Sequence, residues 1–330
     1  MSDRICDGRT LAIAGRRIGG VGLGTAQFAF RDGTLADSVA TVHAALDAGV
    51  QLIDTALAYT RPGIESYAEQ VIATALHGIT AGRPLVATKG GHWRDGDRFP
   101  VSGRPEVLRA HCEISLRALQ ADQIDLYQLH HTDPHVPLAE SVGALDELRR
   151  EGKIAAIGLS NVTAAQLQEA LAVAPVASVQ NQLSYGQPTD LPMAMACGQR
   201  GLAYLAYKAF AGPPGAAPAV AARHGVSVHR VLLAWLRAQS PYIMPLTGTS
   251  RPASIRDSAA LLDLTRQDLA ELSALQPPST PAWAPARPAS STRQRRQAKE
   301  NATPCHQQPR SPAPPGGASS PPPEAPQRCP

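Results

Sequence analysis

Short apolar runs alternating with longer stretches of helical period constrain this 330-residue chain more than any other feature. Runs at about 19–23, 50–53, 84–88, 124–129, 154–158, 176–179, 202–206 and 242–246 are rich in branched residues and read as strands. Between them, "SVATVHAALDAG", "YAEQVIATALHG", "PEVLRAHCEISLRAL", "LAESVGALDELRREG" and "TAAQLQEALAVA" repeat apolar residues three and four apart. Several open on Ser, Thr or Pro and stop at Gly, as helix punctuation requires. Strand and helix alternating in this way build a parallel sheet with helices outside it. Eight such units in about 230 residues predict an α/β fold, a single (β/α)8 TIM barrel, with a doubly wound open sheet as the competing architecture.

The pattern stops near residue 276. From 277 to 330 the chain holds 15 of its 30 prolines, one aromatic, Trp283, and no Leu, Ile, Val, Met, Phe or Tyr. Such a stretch cannot bury enough apolar surface to offset the entropy of ordering, so two parts are expected: a barrel over 1–276 and a disordered Pro/Ser/Arg-rich tail over 277–330. The tail carries seven Lys and Arg against two Asp and Glu, which accounts for the net charge of +4. Its "RQRRQAK" is therefore read as solvated charge, and no nucleic-acid partner is expected. The odd set Cys6, Cys112, Cys197, Cys305 and Cys329 contains no C-x-x-C pair, which fits a reducing compartment. Charges interrupt the N-terminal segment, and no later run is long enough to span a bilayer, so no membrane association and a cytoplasmic location are expected. Oligomeric state cannot be read from the chain.

In a barrel of this type the functional groups stand where strands run into the following loops. Taken in order, those positions are Gly24 and Thr25, Asp54, Lys89, His130, Ser160 and Asn161, Gln180, Tyr207, then Gly248 to Arg251. Lysine occurs only four times in the chain, yet Lys89 ends an apolar strand, with Asp54 and His130 on its two neighbours and Tyr59 five residues after Asp54. A phenol ionises near pH 10 and is a poor acid until a cation lies beside it. Lys89 supplies that cation, Asp54 pairs with the otherwise costly ammonium, and His130 can position a substrate oxygen. The set can move a proton to or from a carbonyl oxygen. No side chain delivers a hydride, so a cofactor must.

"LIDTALAY", "ATKGG", "DLYQLHHTDP", "IGLSN", "VQNQ" and "PLTGTSR", in this order and spacing, resemble the aldo-keto reductase family over about 20–275. The resemblance implies a (β/α)8 barrel that holds NADPH across its mouth without a Rossmann domain, and reduction of an aldehyde or ketone. It puts the catalytic tetrad on Asp54, Tyr59, Lys89 and His130, with Tyr59 as general acid, Lys89 and Asp54 tuning it and His130 orienting a small-molecule carbonyl substrate. It implies that Ser160 and Asn161 hold the nicotinamide carboxamide, that Tyr207 stacks on the ring, and that the partnering glutamine is Gln180 or Gln182, with Gln180 preferred beside the strand. Relatives follow the stacking Tyr with Ser-Pro-Leu, whereas this chain has Lys208, Ala209 and Phe210, a departure that gives Lys208 the pyrophosphate as a point charge. Gly248, Thr249, Ser250 and Arg251 fall on the adenosine-phosphate loop before a helix start, with Arg251 toward the 2′-phosphate. The family's helix arginine falls on Ser254, and its acid and amide on Asp257 and Ser258.

Each residue also has a plainer reading: Asp54 as a helix cap, Tyr59 as a loop anchor, His130 as a packed strand histidine. Two other functions compete, a cofactor-binding regulatory subunit with little turnover and a metal-dependent barrel hydrolase built on His131, Asp133 and His135. No metal is expected, since no further His cluster ends another strand. "GGVGLG" lacks the spacing of a dinucleotide loop and is read as a close approach of backbone to cofactor. Phe28 and Trp93 are expected as pocket walls, and "HWRDGDRFPVSGR" as a mobile loop over the mouth.

Overall fold

A computed structural model of the chain describes residues 10–274. Eight parallel strands close a barrel in chain order: β3 (Gly22–Gly24), β4 (Leu52–Asp54), β5 (Leu85–Gly90), β6 (Leu126–Leu129), β7 (Ile157–Ser160), β8 (Val176–Gln182), β9 (Ala203–Tyr207) and β10 (Ile243–Gly248), which pairs back onto β3. The expected barrel is therefore the observed architecture, and the open sheet is not. The boundary expected at 276/277, the tail, and Cys6, Cys305 and Cys329 lie outside the described residues.

Before the barrel, β1 (Thr10–Ile13) and β2 (Arg16–Gly19) form an antiparallel hairpin that the sequence reading missed. Leu11, Ile13 and Ile18 from this hairpin pack with Leu52, Leu85, Leu126 and Leu205 as a core cluster at the N-terminal ends of the barrel strands. The adjacent Arg16 and Arg17 break the apolar run between Ile13 and Ile18, so neither short strand stands out as an apolar run of its own.

The helices expected from periodicity are α2 (Leu35–Asp47), α3 (Tyr67–Leu76), α4 (Pro105–Leu119), α5 (Leu138–Arg150) and α6 (Ala164–Leu171). Thr34 with Asp37 and Thr163 with Gln166 close capping boxes that start α2 and α6. A short α1 (Ala26–Phe30) precedes α2, and α7 (Leu191–Gln199), α8 (Ala217–His224), α9 (Val228–Gln239), α10 (Pro252–Ala259) and α11 (Arg266–Ala274) complete the outer layer. Inside that layer, Val42, Ile72, Leu108, Leu145, Leu167 and Trp235 join the strands' outward side chains in one continuous core.

Several strands run further toward the barrel mouth than their apolar runs suggest. Asp54, Lys89, Ser160 and Gln182 are still within their ladders, because parallel pairing continues wherever a polar side chain can turn inward. That extension sets Asp54, Lys89 and Ser160 on strand, while Tyr59 and His130 stand on the loops that follow β4 and β6.

Candidate active site

Asp54 ends β4, Lys89 is the penultimate residue of β5, and His130 directly follows β6. The Lys89 Nζ donates to both Asp54 carboxylate oxygens, at 2.9 and 2.7 Å, and to the Thr55 carbonyl at 2.7 Å, with the lysine only 1% exposed. The ammonium also reaches the Tyr59 hydroxyl and lies 5.3 Å from the centroid of its ring. Tyr59 meets the His130 imidazole edge-on, centroids 6.1 Å apart. Carboxylate, ammonium, phenol and imidazole therefore meet at one rim. The plainer reading of Asp54 as a helix cap does not hold, since α3 starts at Tyr67 with Ser66 in the N-cap position.

Burial drives the Tyr59 phenol above its ordinary value, and the adjacent Lys89 charge only partly offsets this. The net direction is the reverse of the expected effect of Lys89, because desolvation by burial outweighs the cation. Tyr59 thus stays protonated at neutral pH, the form that can donate. Burial opposes the Lys89 charge as well, but Asp54 and Tyr59 together hold the ammonium above the usual lysine range. His130 is held well below the usual imidazole value by burial, then by Lys89, His92 and His131, and is neutral. Its Nδ1 is buried and makes no hydrogen bond within the described residues.

Three further groups were not singled out from the sequence. The Gln128 side chain, fully buried inside the barrel, donates to Asp54 Oδ1 at 3.2 Å. It fits because Gly158 faces it: a Cβ there would lie 2.7 Å from Gln128 Cγ. The period of two was a usable signal, since Leu126, Gln128 and His130 share a face. Thr55 is the second partner of Lys89. The third is Glu69 on α3, fully buried, whose Oε1 accepts from Thr88 beside Lys89 at 2.6 Å. Its spacing with Ile72 and Leu76 already places it on a buried helix face.

A cavity of about 590 Å³ opens over the rim, lined by Gly24, Thr25, Asp54, Tyr59, His130, Ser160, Asn161, Gln180, Tyr207, Lys208 and Gly248 among others. Gln180 lines it, but its amide nitrogen donates to Asp54 Oδ1 at 2.7 Å. Gln182 is not among the lining residues and accepts from Lys208 Nζ at 3.3 Å. Asn161, at φ +58°, donates to the His130 carbonyl at 3.0 Å and accepts from the Tyr207 hydroxyl at 2.6 Å. Thr25 is fully buried at the cavity wall, its Oγ1 donating to the Asp54 carbonyl at 3.0 Å.

A second cavity of about 410 Å³ shares Gln27, Phe210 and Gly248 with the first and continues to Thr249 and Arg251 before α10 and to Ser254, Asp257 and Ser258 along it. Ser250 lines neither. Thr249 Oγ1 accepts from the Arg251 amide, and Asp257 accepts from Ser227 at 2.5 Å.

Of the residues expected as pocket walls, Phe28 is 1% exposed in the main core and Trp93 packs edge-on against His111. The expected mobile loop is hairpin-like, with bridges His92↔Val101 and Asp95↔Arg98. Among the described residues no three His, Cys, Asp or Glu side chains are grouped to hold a metal ion, and Asp133 instead accepts from the Gly103 and His135 amides. No helix among them is long and apolar enough to cross a membrane.

The family model described as Aldo/keto reductase family matches residues 20–216. An uncharacterized oxidoreductase of Schizosaccharomyces pombe is 32% identical over 242 residues, 71% of this chain and 77% of the relative. Among solved structures, the glycerol dehydrogenase of Gluconobacter oxydans matches with a TM-score of 0.71 at 26% identity, over 84% of this chain and 99% of its own. An aldo/keto reductase from Klebsiella pneumoniae in complex with NADP and acetate gives 0.69 at 27% identity, over 84% and 97%.

Proposed function

Because the chain belongs to the aldo/keto reductase family and is an oxidoreductase, we propose that it uses NADPH to reduce an aldehyde or ketone to the alcohol, with Asp54, Tyr59, Lys89 and His130 carrying the chemistry. One observation carries this reading: a buried Lys89 ammonium held by Asp54 against the Tyr59 hydroxyl, beside a neutral His130 that opens to the cavity.

The donor sets fit the cofactor. Ser160 and Asn161 beside the Tyr207 ring suit a carboxamide-bearing ring, while Thr249 and Arg251 before α10 and Ser254 in its first turn suit phosphate. NADP in the Klebsiella pneumoniae relative supports the same choice. A reduced nicotinamide bound there supplies a hydride for the carbonyl carbon. The His130 imidazole donates to the carbonyl oxygen and fixes its direction. Tyr59 gives its proton to that oxygen as charge develops on it. Lys89 steadies the phenolate left behind, and Asp54 keeps the ammonium from being an unpaired buried charge.

Fluorescence titration with NADPH and NADH, followed by NADPH oxidation with small aldehydes and ketones, tests the reading. The expected result is saturable binding that favours NADPH, and oxidation only when a carbonyl is present. Tyr59→Phe should bind NADPH within a few-fold of wild type and lose on the order of 10²–10⁴ in kcat. Tight NADPH binding with no carbonyl-dependent oxidation, wild type and Tyr59→Phe behaving alike, contradicts it.

A further inference from the structure

Asn161 turns the chain sharply at the end of β7. Its backbone N–H donates to the Gln180 carbonyl at 3.1 Å, just past the last pair of the β7–β8 ladder, Ser160 with Gln180. Its φ of +58° then takes the backbone into the left-handed region. Asparagine tolerates that region better than most residues, yet the turn persists only where neighbouring groups hold it.

The hold falls on the next residue. The Val162 N–H donates to Asn181 Oδ1 at 3.1 Å, and the Val162 carbonyl accepts from Asn181 Nδ2 at 2.8 Å. One side-chain amide thus grips both polar groups of the residue after the turn, as a strand partner would, and does so out of water, with Val162 3% and Asn181 7% exposed. Asn181 follows Gln180 on β8, so it faces the helices while Gln180 reaches Asp54 inside the barrel.

Asn181 is held in its turn. Its Nδ2 also donates to Asp190 Oδ2 at 2.9 Å, and the Tyr204 hydroxyl of the fully buried Tyr204 on β9 donates to the same oxygen. Asp190 occupies the N-cap position of α7, where an aspartate ordinarily accepts from helix amides, but its carboxylate makes no cap bond. It is turned onto Asn181 instead.

We propose that Asn181 is a positioning residue: backed by Asp190 and Tyr204 on the outer face of the barrel wall, it fixes the turn at Asn161 and thereby sets the Asn161 amide to recognise the nicotinamide carboxamide. The inference rests on the cofactor reading given above. Without the grip, two buried backbone groups lose their partner, and the turn relaxes to recover one. The Asn161 amide then leaves the His130 carbonyl and the Tyr207 hydroxyl that hold it at the cavity.

The test compares wild type with Asn181→Ala, Asp190→Ala and Asp190→Asn. Titrations measure the binding of NADPH and of adenosine 2′,5′-bisphosphate, which offers the adenosine phosphates without a nicotinamide, and melting temperatures check that the variants fold. Asn181→Ala and Asp190→Ala should each weaken NADPH about tenfold and leave the bisphosphate within about twofold of wild type. Asp190→Asn keeps an oxygen for both donors and should bring NADPH back to within about threefold. A change that merely loosened the fold would move both ligands together. Equal losses on the two ligands, or NADPH affinity unchanged in Asn181→Ala, overturn the inference and leave the reductase reading intact. If Asn181→Ala does not fold, the two Asp190 variants decide by the same criteria, since they loosen the grip without removing it. Wild type that binds no NADPH ends the cofactor reading and the inference together.

Discussion

Asp54 accepts from Lys89 at both oxygens and from Gln128 and Gln180 at Oδ1, so its charge is shared among three buried donors. A carboxylate stripped of water needs such partners, and removing one weakens its hold on the ammonium. Gln128→Leu should therefore lower kcat about tenfold with NADPH affinity within about twofold, measured by single-turnover NADPH oxidation beside a binding titration. Equal losses in kcat and cofactor affinity would show instead a general disturbance of the mouth. Lys89, Asp54 and His130 were legible in the sequence because each is a polar residue ending an apolar run. Gln128 was not, because it sits inside such a run and declares itself only by sharing a face with His130. Gln180 was legible as a site residue, but its bond to Asp54 depends on the angle between two strands 126 residues apart, which no local pattern encodes.

At the scale of elements, α3 packs a carboxyl group behind the strand that carries Lys89. Burial raises Glu69 above its ordinary value, while the hydrogen bond from the Thr88 hydroxyl and the Lys89 charge oppose this. A carboxyl raised in the folded state adds stability that is complete below its unfolded value of 4.5 and is lost as pH rises through the folded value. Wild type should therefore melt progressively lower relative to Glu69→Gln as pH rises above the carboxyl's unfolded value of 4.5, as calorimetry can show. A difference that does not change with pH would place Glu69 among inert packing groups. The helix itself was readable from periodicity, and its polar member could have been. The segment 92–101 was not readable as a hairpin. Its bridges join His92 to Val101 and Asp95 to Arg98, and its ring contacts reach Phe30 and His130, partners distant in the chain.

For the whole molecule, alternation of strand and helix predicted parallel βα units, and their number, eight in about 230 residues, favoured a closed barrel over the competing doubly wound open sheet. The β1–β2 hairpin escaped notice since two arginines stand between its apolar residues. Composition points to a self-sufficient barrel over residues 1–276. Removing 278–330 should leave kcat/KM within about twofold and the melting temperature within about 2 °C of the full chain. A larger loss would assign the tail a structural part.

The account as a whole depends on Tyr59 and Lys89 acting as one unit, held together by Asp54. A double-mutant cycle on kcat, with Tyr59→Phe, Lys89→Met and the pair combined, measures that coupling directly. The predicted result is a double variant no slower than the slower single one, since neither group contributes once the other is gone. Losses that multiply, each substitution costing as much in the variant background as in wild type, would mean that the two side chains act independently and would contradict the account.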